Sequence, residues 1–188
     1  MQKISWKSPY EMELKLTTEQ LIEKAKKAYS SKKFLEASDL FNQAGSEYSS
    51  NGDVLMAAEM KNNQSVALLQ DGKAQASLDA VTGTDEIFAA GGDKKRQGMA
   101  LANQAAALEG LKRKMEAVAL YERSASLLAE VGENNLRADV IRSISAIQVG
   151  QGKYIDAVMS MQDGMIEIEK PNLKQRIMKK LLFLRLWR

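Results

Sequence analysis

The sequence has 188 residues, of which 27 are basic and 24 acidic, and it contains neither histidine nor cysteine. Without these two residue types the chain can build no Ser-His-Asp or Cys-His nucleophile, no zinc site of the usual nitrogen and sulfur ligands and no disulfide. The length suits one compact domain or one short array of repeats.

The net charge of +3 divides into two segments of opposite sign. Seven basic and no acidic residues lie between Lys170 and Arg188, which leaves 20 basic against 24 acidic residues, a net charge of −4, in residues 1–169. The body of the chain therefore gives little support to nucleic-acid binding. No stretch resembles a signal peptide and none approaches the roughly 18 apolar residues that span a bilayer, so we expect a cytoplasmic location.

From the N-terminus onwards, the pattern predicts an arm followed by a series of helices. Residues 1–17, which include Pro9, are predicted to be the arm, and Thr17 with Gln20 has the spacing of a capping box. Apolar residues then recur at helical spacing, and no segment alternates at the two-residue period of a strand. Helices are predicted at about 18–31, 34–50, 53–71, 74–91, 94–111, 114–131, 134–150, 154–169 and 172–187.

A repeat of 40 residues runs through this series of helices. Its clearest mark is a glycine followed by an acidic residue, at Gly52-Asp53, Gly92-Asp93 and Gly132-Glu133. Glycine can adopt the left-handed conformation that closes a helix, and the acid can accept hydrogen bonds from the free amides of the next helix. Each unit is therefore predicted to be a hairpin of two helices, with hairpins at about 18–51, 52–91, 92–131 and 132–170.

Three further sets of residues keep the same 40-residue spacing. Two sets are small: Ala25, Ser65, Ala105 and Ser145, and Ala37, Ser77, Ala117 and Ala157. The third is large and apolar: Phe41, Val81, Tyr121 and Met161. Small residues let two helices approach where they cross, and a large residue one turn later fills the space beside them. We therefore expect the small sets to be buried inside the hairpins.

The third unit resembles a tetratricopeptide repeat (TPR). The run 103–133 has Asn103, small Ala105, apolar Leu108, Ala117 fourteen residues after the asparagine, and Tyr121. The resemblance covers about residues 18–170, with units longer than the roughly 34 residues usual in the family. It implies an all-α, right-handed solenoid of four antiparallel hairpins with a C-terminal capping helix, and a concave groove lined by the first helix of each hairpin.

The first helices supply the candidate residues for binding a partner in that groove. These are Glu19, Glu23, Glu59, Asn63, Asn103, Asp139 and Arg142. Asn63 and Asn103 either grip the backbone of a bound peptide or hydrogen-bond to a neighbouring helix and fix the stacking. TPR modules that hold acidic chaperone tails carry Lys and Arg near such asparagines, whereas Glu19, Glu59, Met99 and Asp139 stand here. The resemblance thus implies a basic or neutral ligand.

Residues 171–188 are predicted to form a basic C-terminal helix. Its basic residues beyond Lys170 are Lys174, Arg176, Lys179, Lys180, Arg185 and Arg188. The apolar positions of residues 172–186 match those of residues 135–149, which favours a helix that caps the last hairpin by packing on Ile144, Ile155 and Met159. Contact with an anionic membrane surface, or with a partner or second copy of the chain, remains an alternative.

Together these features predict a non-enzymatic scaffold that binds a peptide or helix of another protein and needs no cofactor or metal. Phosphate-loop, dinucleotide and calcium-loop motifs are absent from the sequence, and no carboxylate pair has a convergent partner for acid–base chemistry. The alternative is a peripheral membrane adaptor that uses the basic C-terminal helix. RNA binding would need a basic groove, which a body of negative net charge does not supply.

Overall fold

The structure, a computed structural model, describes residues 16–166, and within that range all regular secondary structure is helical. Most of the predicted arm, the end of the eighth predicted helix and the whole basic C-terminal segment lie outside the described residues. The helices are α1 (Thr18–Ser30), α2 (Phe34–Ser50), α3 (Val54–Gln70), α4 (Ala74–Val81), α5 (Thr84–Ala90), α6 (Lys94–Gly110), α7 (Lys114–Glu130), α8 (Asn134–Gly150) and α9 (Tyr154–Ile166).

The ends of these helices follow the local signals in the sequence. The Thr17 side chain accepts from the Gln20 amide while the Gln20 side chain accepts from the Thr17 amide, which confirms the capping box. Asp53 and Asp93 accept hydrogen bonds from amides of the helices that they precede. Glu133 instead forms an ion pair with Lys95, 2.5 Å away, and makes no side-chain hydrogen bond to its helix.

Turns between helices place a residue in the left-handed conformation at every twentieth position. These residues are Lys32, Gly52, Gly72, Gly92, Lys112, Gly132 and Gly152. Glycine takes a positive φ without steric cost, whereas a side chain there costs roughly 1–2 kcal/mol. The turns at Lys32 (φ 60°) and Lys112 (φ 63°) therefore carry strain that the five glycine turns avoid.

The predicted helix 74–91 is wrong, because the chain forms two helices there. Thr82, with a ψ of 130°, ends α4, and Gly83, with a φ of 81°, precedes α5. The break turns Thr84 inwards, where its buried hydroxyl donates to the Val81 carbonyl at 2.8 Å and accepts from the Asn62 amide at 3.0 Å. Thr82, Gly83 and Thr84 thus interrupt the helix at a place where α2 and α7 continue without a break.

Both sets of small residues are buried, as predicted, and they meet where the two helices of a hairpin cross. The Ser65 and Ser77 hydroxyls are 2.8 Å apart in the second hairpin, and the Ser145 hydroxyl donates to the Ala157 carbonyl at 2.9 Å in the fourth. Phe41, Val81 and Tyr121 of the large set are also buried. The 40-residue repeat is therefore a repeat of close helix crossings.

The hairpins stack in chain order. Within them α1 packs on α2, α3 on α4 and α5, α6 on α7, and α8 on α9, while α2 packs on α3 and α7 on α8 between hairpins. The first helices α3 and α6 also contact each other directly. None of the helices in the described part is long and apolar enough to cross a membrane.

Candidate binding groove

A cleft of about 290 Å³ lies between the first helices of the first two hairpins. Tyr29, Val66 and the buried Phe41 give it an apolar lining, while Lys26 and Asn63 add an ammonium and a carboxamide. Ser30 also lines it. Asn63, one of the two predicted groove asparagines, therefore borders open space, and the structure shows no hydrogen bond of its side chain.

Asn103 has a different role, because it is engaged by the neighbouring first helix. Its side-chain amide donates to the side-chain oxygen Oδ1 of Asn62 at 3.1 Å. The buried side-chain amide of Asn62 in turn donates to the Ala58 backbone carbonyl and to the Thr84 hydroxyl. This chain links α3, α5 and α6. Of the two roles predicted for these asparagines, the structure gives Asn103 the stacking contact and leaves Asn63 facing a cleft.

The predicted groove carboxylates are mostly paired with cations. Glu59 lies 3.0 Å from Arg96, which crosses from the third hairpin. Glu23 pairs with Lys26 at 2.8 Å on the first helix, and Asp139 pairs with Arg142 on α8. Because each of these acids faces a cation, the first helices present much less negative charge than the sequence suggests.

Glu19 lies apart from the Asn63 cleft. It lines a second, more polar cleft of about 460 Å³ between the start of α1 and the end of α2, together with Leu16, Thr17, Thr18, Ser46, Glu47, Ser50 and Asn51. The structure therefore does not bring Glu19 together with Asn63 or Asn103. The predicted C-terminal binding residues, from Lys174 to Arg188, lie outside the described residues.

Arg96 joins the second and third hairpins. Besides its contact with Glu59, its guanidinium donates to Asp93 at 2.6 Å and lies 5.2 Å from the centre of the Phe88 ring. Hydrogen bonds from the Arg96 backbone amide and then from its side chain lower the pKa of Asp93, and the same partnership raises the pKa of Arg96. The contacts keep both groups charged and link the start of α6 to α3 and α5.

The residues that give the cleft its apolar lining and its ammonium group were not identified from the sequence. Lys26, Tyr29 and Val66 follow the same helical face as Glu19, Glu23, Glu59 and Asn63, one or two turns further along, so the spacing itself could have identified them. Asn62 gave no such signal, because only the packing shows that it faces α6. Among the described residues no group of acidic side chains is placed to hold a metal ion.

These features define an all-helical, TPR-like repeat protein. No protein-family model matches the sequence, and no curated protein matches it. Among solved structures it is similar to the crystal structure of nearly identical TPR-like repeats from a Podosopora anserina protein described as a kinesin light chain. The TM-score is 0.72 and the identity 15%, over 90% of this chain and 84% of the other. At that identity the likeness shows the fold alone.

Proposed function

We propose that this protein is a scaffold whose first helices bind a segment of another protein, with the cleft between α1 and α3 as its main pocket. The cleft carries the proposal, because an apolar lining beside one amide and one ammonium suits an apolar side chain held next to a peptide backbone. Asn63 supplies a donor and an acceptor for that backbone. In this proposal a longer segment would continue past Asn103, Asp139 and Arg142 on the later first helices.

The charge of the partner follows from the ion pairs. Glu23 and Glu59 are each within 3.0 Å of a cation, so their attraction for a basic ligand is weakened but not abolished. A neutral or mildly basic segment with one large apolar side chain therefore fits this surface better than an acidic tail, which the carboxylates of Glu23 and Glu59 would still disfavour.

Selection from a displayed library of random peptides tests the proposal. Binding of the enriched peptides should fall at least tenfold in Val66→Arg, which fills the cleft with charge, and several-fold in Asn63→Ala. The matched control is Val54→Arg, the same substitution at an exposed site on the same helix. Equal binding by Val66→Arg and the control, or enrichment of acidic peptides, would contradict the proposal.

The second candidate function is a peripheral membrane adaptor that uses the C-terminal segment. Seven cations without an acid, together with Leu, Phe and Trp residues, suit an anionic lipid surface as well as they suit a helix that caps the last hairpin. Trp187 fluorescence in a Trp6→Phe background distinguishes the two. Emission that is blue-shifted without vesicles and unchanged by anionic vesicles supports capping, whereas a red-shifted emission that moves to the blue on their addition supports the membrane adaptor.

A further inference from the structure

The outer face of the second helices changes from acidic to apolar along the chain. At one exposed position of the repeat the residues are Asp39, Asp79, Ala119 and Met159. At the position four residues earlier they are Leu35, Gln75, Met115 and Ile155, also exposed. The last hairpin therefore has a large apolar side chain at both positions, whereas each earlier hairpin has one at most.

These side chains form an apolar group at the C-terminal end of the described chain. Exposed fractions are 65% for Tyr154, 77% for Ile155 and 60% for Met159, and Met115 of α7 is 68% exposed. Met115 adjoins the turn before α9, since its sulfur lies 3.8 Å from the Gln151 side-chain nitrogen. Apolar side chains of this size, grouped and this exposed, are typical of interaction sites.

Lysines lie in the turns and at the helix start beside this apolar group. Lys153 immediately precedes Tyr154, and the Lys114 ammonium lies 3.6 Å from the position that a Cβ on Gly150 would take. Within the described residues Lys112, Lys114 and Lys153 form no ion pair, while Arg113 is paired with Glu116. Asp156 is the nearby acid on α9, so cations outnumber acids at this corner.

We infer that this corner of the body, defined as Met115, Tyr154, Ile155 and Met159 with Lys112, Lys114 and Lys153, binds the surface of an anionic lipid bilayer. The apolar side chains project from the outer face of a helix instead of lining a groove, which suits insertion among lipid headgroups, where no matching pocket is needed. Tyrosine is favoured at that depth, and lysine side chains reach anionic headgroups from beside inserted apolar groups. The inference is independent of the groove proposal, and it competes with the predicted packing of the C-terminal helix on Ile155 and Met159.

Cosedimentation of the full chain with vesicles of phosphatidylcholine and phosphatidylserine tests it. Lys114→Gln with Lys153→Gln should weaken binding roughly fivefold per lysine at low salt. Ile155→Ser with Met159→Ser should weaken it at least tenfold. The controls are Leu35→Ser, at the repeat position of Ile155, and Lys24→Gln with Lys61→Gln, on exposed sites of the first and third helices; both should bind as the unmodified chain does.

A second measurement reports on the corner directly and does not rely on a loss of affinity. Because the chain has no cysteine, Ile155→Cys and Leu35→Cys each accept one environment-sensitive fluorophore. A blue shift on vesicle addition at position 155 but not at position 35 supports the inference. It is overturned by equal shifts, by corner variants that bind like the controls, or by equal binding to vesicles of phosphatidylcholine alone. Loss of a dimer in light scattering, without vesicle binding, would assign the corner to a second copy of the chain.

Discussion

The pair of serines at the crossing in the second hairpin allows a sharp test of the repeat packing. Ser65 and Ser77 are both buried, with their hydroxyls 2.8 Å apart, at positions where the first and third hairpins have two alanines. Replacing one serine by alanine leaves the other hydroxyl without its partner in an apolar setting. That loss costs about 1–3 kcal/mol, less where the hydroxyl can turn to a carbonyl of its own helix.

The double variant Ser65→Ala with Ser77→Ala should recover most of that loss. It reproduces the alanine pairs Ala25–Ala37 and Ala105–Ala117, which the same fold already accommodates with no exposed surface. Replacing both partners by apolar groups is close to neutral, so we expect the double variant within about 0.5 kcal/mol of the unmodified chain. The coupling energy between the two sites is then the sum of the two single losses, about 2–6 kcal/mol.

Urea unfolding followed by circular dichroism measures all four proteins. Midpoints compared at an unchanged slope give the differences in the free energy of unfolding. Additive effects, with the double variant as unstable as the sum of the two single variants, would refute the reasoning. They would mean that the hydroxyls do not depend on each other and that the small residues are not packed at a shared crossing.

Three further predictions concern stability. Gly132→Ala should lower the free energy of unfolding by about 0.5–1 kcal/mol, and Lys112→Gly should raise it by a similar amount. The left-handed turn disfavours any side chain, and the greater freedom of glycine in the unfolded chain offsets part of that effect. No atom lies within 4 Å of a Cβ at Gly132, so a much larger loss in Gly132→Ala would contradict the account. Ala117→Leu should cost roughly 1–3 kcal/mol through overpacking at a fully buried crossing, and an unchanged urea midpoint would count against the crossing. Burial raises the pKa of Tyr121 to about 12, above the value near 10 of an unfolded chain, so the folded state keeps a proton that the unfolded state releases. Stability is therefore full below about pH 10 and falls as the pH rises towards 12, and Tyr121→Phe should fall less steeply over that range in pH-dependent melting curves.

The sequence predicted the crossings well because they depend only on spacing. Small residues at a fixed period must lie at equivalent places in equivalent hairpins, so Ala37 and Ala117 could be assigned to buried sites from the letters alone. The break at Gly83 could not be assigned in this way, since an isolated glycine is tolerated within a helix. Only the inward contact of Thr84 with Asn62 shows why the chain leaves the helix there.

The groove was harder to predict than the hairpins. The repeat pairs Asn63 with Asn103, but Asn103 bonds Asn62, and one residue along a helix rotates a side chain by about 100°. The bond from Arg96 to Glu59 depends on the reach of a flexible side chain between hairpins, which no spacing specifies. The sequence therefore indicated an acidic surface on the first helices, where the structure has ion pairs.

Hydrogen exchange of the full chain, with and without a peptide from the library selection, tests the central claim most directly. If the first helices bind the partner, added protection should fall on α1 near Lys26 and Tyr29 and on α3 near Asn63 and Val66. Helices α7 and α9, the second helices away from the cleft, should exchange as they do in the free protein. Protection confined to these second helices, with none on α1 and α3, would contradict the account.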